Sequence, residues 1–265
     1  MAFTFDRFRL DGKVAVVTGA GGRPNSIGEA YCFGLAAAGA SVVAADLSLE
    51  GAQTLAGRLK DAGFKAVGLQ VDIANEASVA ALATSTKEAF GGCDILVNNA
   101  ALMVEMTNPK LGGSAHSMST EAWNTWLAVN LSGARLCAQA FIPGMIERGW
   151  GRIINQVSQG AYPANTVYGI TKLALVGLTT TLAREVGKQN ITVNAIAPGI
   201  TKSSAGAGLT PDDSPYVQFM TAMAAGNPIG QPDDLVGPLL MLCSDAGKWM
   251  TGQVMHVDGG VTIVN

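Results

Sequence analysis

Val14-Ala15-Val16-Val17-Thr18-Gly19-Ala20-Gly21-Gly22-Arg23-Pro24-Asn25-Ser26-Ile27-Gly28 is the stretch on which the fold turns. A short β-forming run breaks into glycines, and a helix-like segment, Gly28–Ala38, takes over. Glycines at such a junction let the backbone turn sharply and approach a ligand closely, and the amino end of the next helix favours an anion. A pyrophosphate suits that place. An ordinary glycine-rich turn uses the same residues, so the signal gains weight only from what surrounds it.

Outward from this stretch the pattern repeats. Strand-like Ser41–Asp46, Ala66–Asp72, Ile95–Asn98, Arg152–Val157, Thr192–Ala197 and Gln253–Asp258 alternate with helix-like segments. Those helical segments are Glu50–Ala62, Glu76–Phe90, Thr120–Glu147, Val167–Gly187, Tyr216–Ala225 and Pro232–Cys243. Apolar strands separated by helices belong to a parallel sheet covered on both faces. The expected fold is α/β, a doubly wound parallel sheet of about seven strands, in a single domain over residues 1–265. Ligands of such sheets lie beyond the carboxyl ends of the strands. The shortlist is therefore Thr18-Gly19, Asp46, Asp72, Asn98, Ser158 and Pro198-Gly199.

Asp46 ends the second strand and offers a carboxylate to both hydroxyls of an adenosine ribose. It would also face a 2′-phosphate, and like charges about 4 Å apart cost about 4 kcal/mol at an effective dielectric of 20. Leu47 and Ser48 supply no cation to offset that. NAD is expected over NADP, with Arg23 in the phosphate loop as the opposing consideration. Asp72 is either an acceptor for the adenine amino group or a turn acid. Asn98 and Asn99 either touch ligand or brace the fourth strand, and bracing is the expectation for Asn99.

Between Gly151 and Lys172 the chain places Ser158 after a strand and Tyr168 four residues before Lys172. On a helix that spacing stacks phenol and ammonium on one face. A serine hydrolase needs a G-x-S-x-G elbow and a histidine after the serine and acid. Ser158 has no elbow, and the two histidines are His116, ahead of it, and His256. Hydride transfer from an alcohol needs a proton acceptor instead. Tyrosine, with a pKa of about 10, would need roughly 4 kcal/mol of phenolate stabilisation to titrate near neutrality. One ammonium within about 4 Å supplies energy of that order, so Lys172 is expected to lower the Tyr168 pKa. Ser158 would hold the reacting oxygen as its charge changes.

The bulk numbers exclude several classes. A net charge of −3 offers no basic face for nucleic acid. The four cysteines, Cys32, Cys93, Cys137 and Cys243, form no C-x-x-C pair, so no metal site is expected and reduced buried thiols are. Met1–Leu10 carries charges and lacks the apolar core of a signal peptide, and no apolar run reaches membrane-spanning length. A cytoplasmic protein is expected.

Taken together, Thr18-Gly19, Asp46, Asp72, Asn98-Asn99-Ala100, Val129-Asn130, Ser158, Tyr168-x-x-x-Lys172, Asn194, Pro198-Gly199 and Asp258-Gly259-Gly260 carry a resemblance. From about Leu10 onward the chain resembles the short-chain dehydrogenase/reductase family. The resemblance implies a catalytic tetrad of Asn130, Ser158, Tyr168 and Lys172, with Asn130 ordering a water that passes protons to Lys172. It implies cofactor contacts at Gly19, Ser26, Ile27, Asp46, Leu47, Asp72, Ile73, Asn98 and Ala100. It adds Tyr168, Pro198, Gly199, Ile200 and Ser203, with Lys172 on the nicotinamide ribose and the backbone near Ile200 on the carboxamide. A homotetramer built on the helices Thr120–Glu147 and Val167–Gly187 is expected from the same source.

The sequence departs from the family in three places. Extra residues lengthen the phosphate loop at Arg23-Pro24-Asn25, and Ser26 stands where a glycine is usual, as in enoyl reductases of the superfamily. The close Tyr168–Lys172 spacing argues for carbonyl chemistry nevertheless. Ala101 replaces a glycine. An inserted loop, residues 102–119, stands beside the site with Met103, Met106, Leu111 and His116.

A substrate lid is expected over residues 201–228, with Pro211, Tyr216, Phe219, Met220 and Met223. Ser158, Gln159, Tyr162, Tyr168 and Met220 are the expected substrate contacts. A hydrophobic alicyclic or aryl secondary alcohol fits that surface. Two alternatives stand beside it: an NADPH-dependent 3-oxoacyl (acyl-carrier) reductase, and a dinucleotide-binding sensor without catalysis. The first predicts no carboxylate at Asp46, the second an incomplete tetrad.

Overall fold

Strand β1, Val14–Thr18, is buried along its whole length because it lies in the middle of a sheet with helices on both faces. The computed structural model describes residues 4–103, 111–204 and 213–263. Met106 and Pro211 lie outside them. After β1 come α1 (Ile27–Ala37), β2 (Ser41–Asp46), α2 (Leu49–Asp61), β3 (Ala66–Gln70), α3 (Glu76–Phe90) and β4 (Ile95–Asn98). The second half continues with α4 (Thr120–Leu127), α5 (Gly133–Arg148), β5 (Gly151–Gln156), α6 (Val167–Val186) and β6 (Ile191–Pro198). It closes with β7 (Ile200–Thr201), α7 (Pro215–Met223), β8 (Ile229–Gly230), α8 (Val236–Cys243) and β9 (Val254–Val257).

Seven strands pair in parallel in the order β3-β2-β1-β4-β5-β6-β9, and β7 and β8 form a separate two-stranded ribbon. The expected sheet is the observed one. Alternate residues of β1 face opposite layers. Ala15 and Val17 pack with Tyr31 and Leu35 of α1, Leu55 of α2 and Leu239 of α8. Val16 packs with Leu82 of α3, Phe141 of α5 and Leu182 of α6. Each fully buried aliphatic side chain of this kind contributes about 1.5–3 kcal/mol. The strand order reverses between β1 and β4, which opens a crevice at their carboxyl ends.

Helix starts are fixed locally. Ser26, Ser48, Asn75, Ser119, Thr166 and Ser214 each accept a hydrogen bond from the backbone N–H three residues on, a cap worth about 1 kcal/mol. The expected helix Thr120–Glu147 is interrupted by a π turn at Ala128–Ser132 between α4 and α5. Asn130 is the buried residue of that turn. Among the described residues no helix is long and apolar enough to cross a membrane.

Candidate active site

A cleft of about 870 Å³ runs across the carboxyl ends of the strands. At one end it is lined by Gly19, Gly21, Arg23, Ser26, Ile27 and Gly28, the turn between β1 and α1. Gly19 takes φ +70°, and a methyl group there would lie 2.7 Å from the Ala100 Cα. Asn99 fixes the turn from across the sheet, its Nδ2 donating to the Thr18 carbonyl at 2.9 Å and the Gly19 carbonyl at 3.2 Å. That is the bracing role expected of it.

Asp46 stands at the tip of β2 and lines the cleft. Its Oδ1 accepts from the Ser48 N–H at 3.0 Å. Oδ2 has no protein hydrogen-bond partner among the described residues, so it is open to a ribose hydroxyl. A Cβ on Gly21 would sit 2.7 Å from this carboxylate, so glycine keeps the loop against it. Arg23 lines the same region and is exposed. Leu47, Asp72, Ile73 and Ala100 line the cleft. The Asp72 Oδ1 also accepts from the Ala74 N–H at 2.9 Å, so it serves the turn as well.

Asn98 differs from the expectation. Strand alternation turns its side chain toward the α5–α6 layer, where Nδ2 donates to Asn155 Oδ1 at 2.9 Å and to the Ala134 carbonyl at 3.4 Å. It braces β4 against β5, and its side chain is outside the cleft lining.

Ser158, Tyr168 and Lys172 meet at the other end of the cleft with Gln156, Val157, Pro198, Gly199, Thr201 and Ser203. Ser158 acts on the Tyr168 phenol, drawing its pKa down, and its Oγ accepts from the Gly160 N–H at 3.1 Å. Lys172 is buried, with Nζ 5.5 Å from the Tyr168 ring centroid, and donates to the Gln156 carbonyl at 2.7 Å. An ammonium has three donors, so donors remain for a ligand in the cleft. Pocket, glycine turn, open carboxylate oxygen and buried amine fit a dinucleotide.

The electrostatics correct one expectation. Burial dominates both groups, pushing the Tyr168 phenol up to about 12 and the Lys172 amine down to about 7. In the cleft without a dinucleotide, burial outweighs the influence of Ser158 on the phenol and lowers the lysine as well.

Asn130 stands behind this group. Its Oδ1 accepts from the Leu102 N–H at 2.8 Å, and its Nδ2 donates to the Leu102 carbonyl and to Thr171 Oγ1, both at 3.1 Å. The amide thus ties the chain after β4 to α6, one residue before Lys172. Trp126 of α4 packs edge-on to Tyr168, with centroids 6.3 Å apart, and its Nε1 donates to the Leu111 carbonyl at 3.0 Å. Leu111 of the inserted stretch is thereby tied to the helix that packs against the phenol.

The expected substrate contacts divide. Ser158 and Tyr168 line the cleft; Gln159, Tyr162 and Met220 do not. Met220 is buried with Ile200 and Val217, because one face of α7 packs on the β7–β8 ribbon. Tyr162 stacks on His256, with centroids 4.8 Å apart. Gln159 is buried, and its Nε2 donates to the Tyr216 hydroxyl at 3.3 Å. Ile200 is also outside the lining. His116 is exposed. Sequence reasoning missed Gln156, whose signal was a polar residue closing the apolar run Ile153-Ile154-Asn155-Gln156-Val157. It also missed Asn25, whose Nδ2 donates to the Lys202 carbonyl at 2.8 Å and ties the β1–α1 turn to the segment after β7.

Sheet order and cleft define a doubly wound protein of the Rossmann type. The chain belongs to the short-chain dehydrogenase/reductase family, and residues 21–262 match the family model described as enoyl-(acyl carrier protein) reductase. It is 40% identical over 254 residues to an uncharacterised oxidoreductase of Mycobacterium tuberculosis, covering 96% of this chain and 99% of that one. It is 36% identical to the D-threitol dehydrogenase of Mycolicibacterium smegmatis, covering 99% and 97%. The crystal structure of a gluconate 5-dehydrogenase from Burkholderia cenocepacia in complex with NADP and tartrate superposes with a TM-score of 0.88 at 35% identity, covering 98% and 99% of the two chains. The chain is an oxidoreductase of a family that uses NAD(P).

Proposed function

We propose that the protein interconverts a secondary alcohol and a ketone with NAD, the substrate being a hydrophobic alicyclic or aryl alcohol. The observation that carries this reading is the meeting of Ser158, Tyr168 and Lys172 in a cleft whose far end presents Asp46. Bound there, the nicotinamide supplies the hydride acceptor or donor.

The chain's own residues handle the oxygen and the proton. Ser158 Oγ holds the substrate oxygen beside the phenol. Tyr168 Oη gives its proton to the developing alkoxide in reduction and takes the hydroxyl proton in oxidation. Lys172, with Nζ 5.5 Å from the Tyr168 ring, is the group through which protons are relayed to and from that phenol. Asn130 holds the π turn against Thr171 and orders the water that serves the lysine. Leu102, Met103, Val129 and Val157 supply the apolar surface around the substrate.

NADP is the second cofactor reading, favoured by Arg23 at the rim and by the NADP held in the Burkholderia structure. A polyol is the second substrate reading. Thr201 and Ser203 in the lining and the names of the threitol and gluconate relatives favour it. Exposed Ile146 on α5 and Leu173 on α6 suit burial between subunits of a homotetramer, which a mass measurement in solution tests.

A panel of cyclic, aryl and polyhydroxy alcohols with either cofactor, followed by nicotinamide absorbance, tests the whole reading. Turnover of a cyclic or aryl alcohol with NAD is expected. Tyr168→Phe should lower it at least about 100-fold while NADH binding persists. If the wild type binds NADH and turns over nothing, or the phenylalanine variant stays active, the catalytic reading is wrong.

A further inference from the structure

Gln156 closes β5 with both of its polar ends engaged by groups that matter. Its main-chain carbonyl accepts from Lys172 Nζ, and its Oε1 accepts from the Tyr31 hydroxyl, each at 2.7 Å. Tyr31 projects from α1, the helix that begins at the phosphate turn. It is completely buried, and Gln156 is the one hydrogen-bond partner of its hydroxyl among the described residues. A buried phenol with a single partner has to donate to it, since an unspent O–H in the interior costs more than the bond gains. The amide is therefore held one way round, with Oε1 toward Tyr31 and Nε2 away from it. Burial and the neighbouring Cys243 keep the phenol protonated by raising its pKa.

Nε2 has no protein acceptor among the described residues. It is not sealed among the buried polar atoms, and Gln156 lines the cleft beside Lys172. An amide donor fixed in direction at the catalytic end of a cofactor cleft calls for an acceptor on the ligand. We propose that Gln156 is a cofactor-binding residue whose Nε2 donates to an oxygen of the nicotinamide nucleoside, and that Tyr31 is its positioning residue. The inference rests on the dinucleotide reading of the cleft. It also links the phosphate-binding helix to the lysine through one side chain.

Titration calorimetry with NADH, ADP-ribose and ADP tests it, because ADP lacks the nicotinamide nucleoside and ADP-ribose lacks only the ring. Gln156→Met should weaken NADH about five- to tenfold and leave ADP unchanged, and the ADP titration also shows that the variant is folded. Equal weakening of ADP-ribose assigns the contact to a ribose oxygen; loss with NADH alone assigns it to the carboxamide. Gln156→Glu keeps the acceptor for Tyr31 but removes the donor, and should weaken NADH at least as much. Tyr31→Phe, which frees the amide to reverse, should raise the KM for NADH with kcat nearly unchanged. Unchanged NADH affinity in Gln156→Met, or equal losses for NADH and ADP, overturns the proposal. A wild type that binds none of the three ligands overturns the dinucleotide reading itself.

Discussion

Lys172 is buried at the wall of the cleft with one hydrogen bond and no carboxylate beside it among the described residues. Burial therefore lowers its pKa from 10.5 to about 7 in the folded chain. Between those values the unfolded chain binds the extra proton, so this residue makes stability rise with pH from about 7 to about 10. Below pH 7 the penalty is fully felt, on the order of 5 kcal/mol. Lys172→Met should accordingly be more stable than wild type in urea at about pH 6, with the gap closing as pH approaches 10. A gap that stays constant across this range would mean that the amine is not the source. On the proposed reading, a destabilising residue is kept here because a lysine that titrates near neutrality can take part in the proton relay of Tyr168.

At the scale of elements, the lengthened β1–α1 loop reaches the segment that follows β7. Asn25, in the left-handed region at φ +57°, donates from Nδ2 to the Lys202 carbonyl, and its own carbonyl accepts from the Ser204 N–H at 3.0 Å. The β1–α1 turn is thereby strapped to the segment after β7. Asn25→Gly tolerates the same φ and removes only the side-chain bond. It should speed NADH release about two- to tenfold, the equivalent of one hydrogen bond, with little change in stability. Stopped-flow dissociation measures this, and an unchanged rate would show that the strap does not gate release.

The glycine turn, the strands and the close Tyr168–Lys172 pair were legible because apolar runs and fixed spacing carry them. The strap was not, since its partners are 177 residues apart. The π turn at Asn130 escaped because no residue pattern marks one extra residue in a helical turn. Asn98 and Met220 went astray for a simpler reason. Sequence gives the period of a strand or helix, but not which of its faces meets the ligand.

For the molecule as a whole, the cleft joins two halves of the sheet. β1–β3 supply the glycine turn and Asp46, and β4–β6 supply Ser158 and Pro198-Gly199, with Tyr168 and Lys172 on α6. A ligand that spans both halves binds only the folded arrangement and stabilises it by mass action. At a concentration of 100 times its Kd the gain is about 2.7 kcal/mol. For a chain of this size each kcal/mol raises Tm by about 2–4 °C, so saturating NADH should add about 5–10 °C. If the proposed NAD preference holds, NADPH at equal concentration should add less, because Asp46 would face its 2′-phosphate, and Asp46→Ala should narrow the difference. An NADPH shift equal to or larger than that of NADH in the wild type would mean that the exposed Arg23, and not Asp46, governs which dinucleotide holds the two halves together.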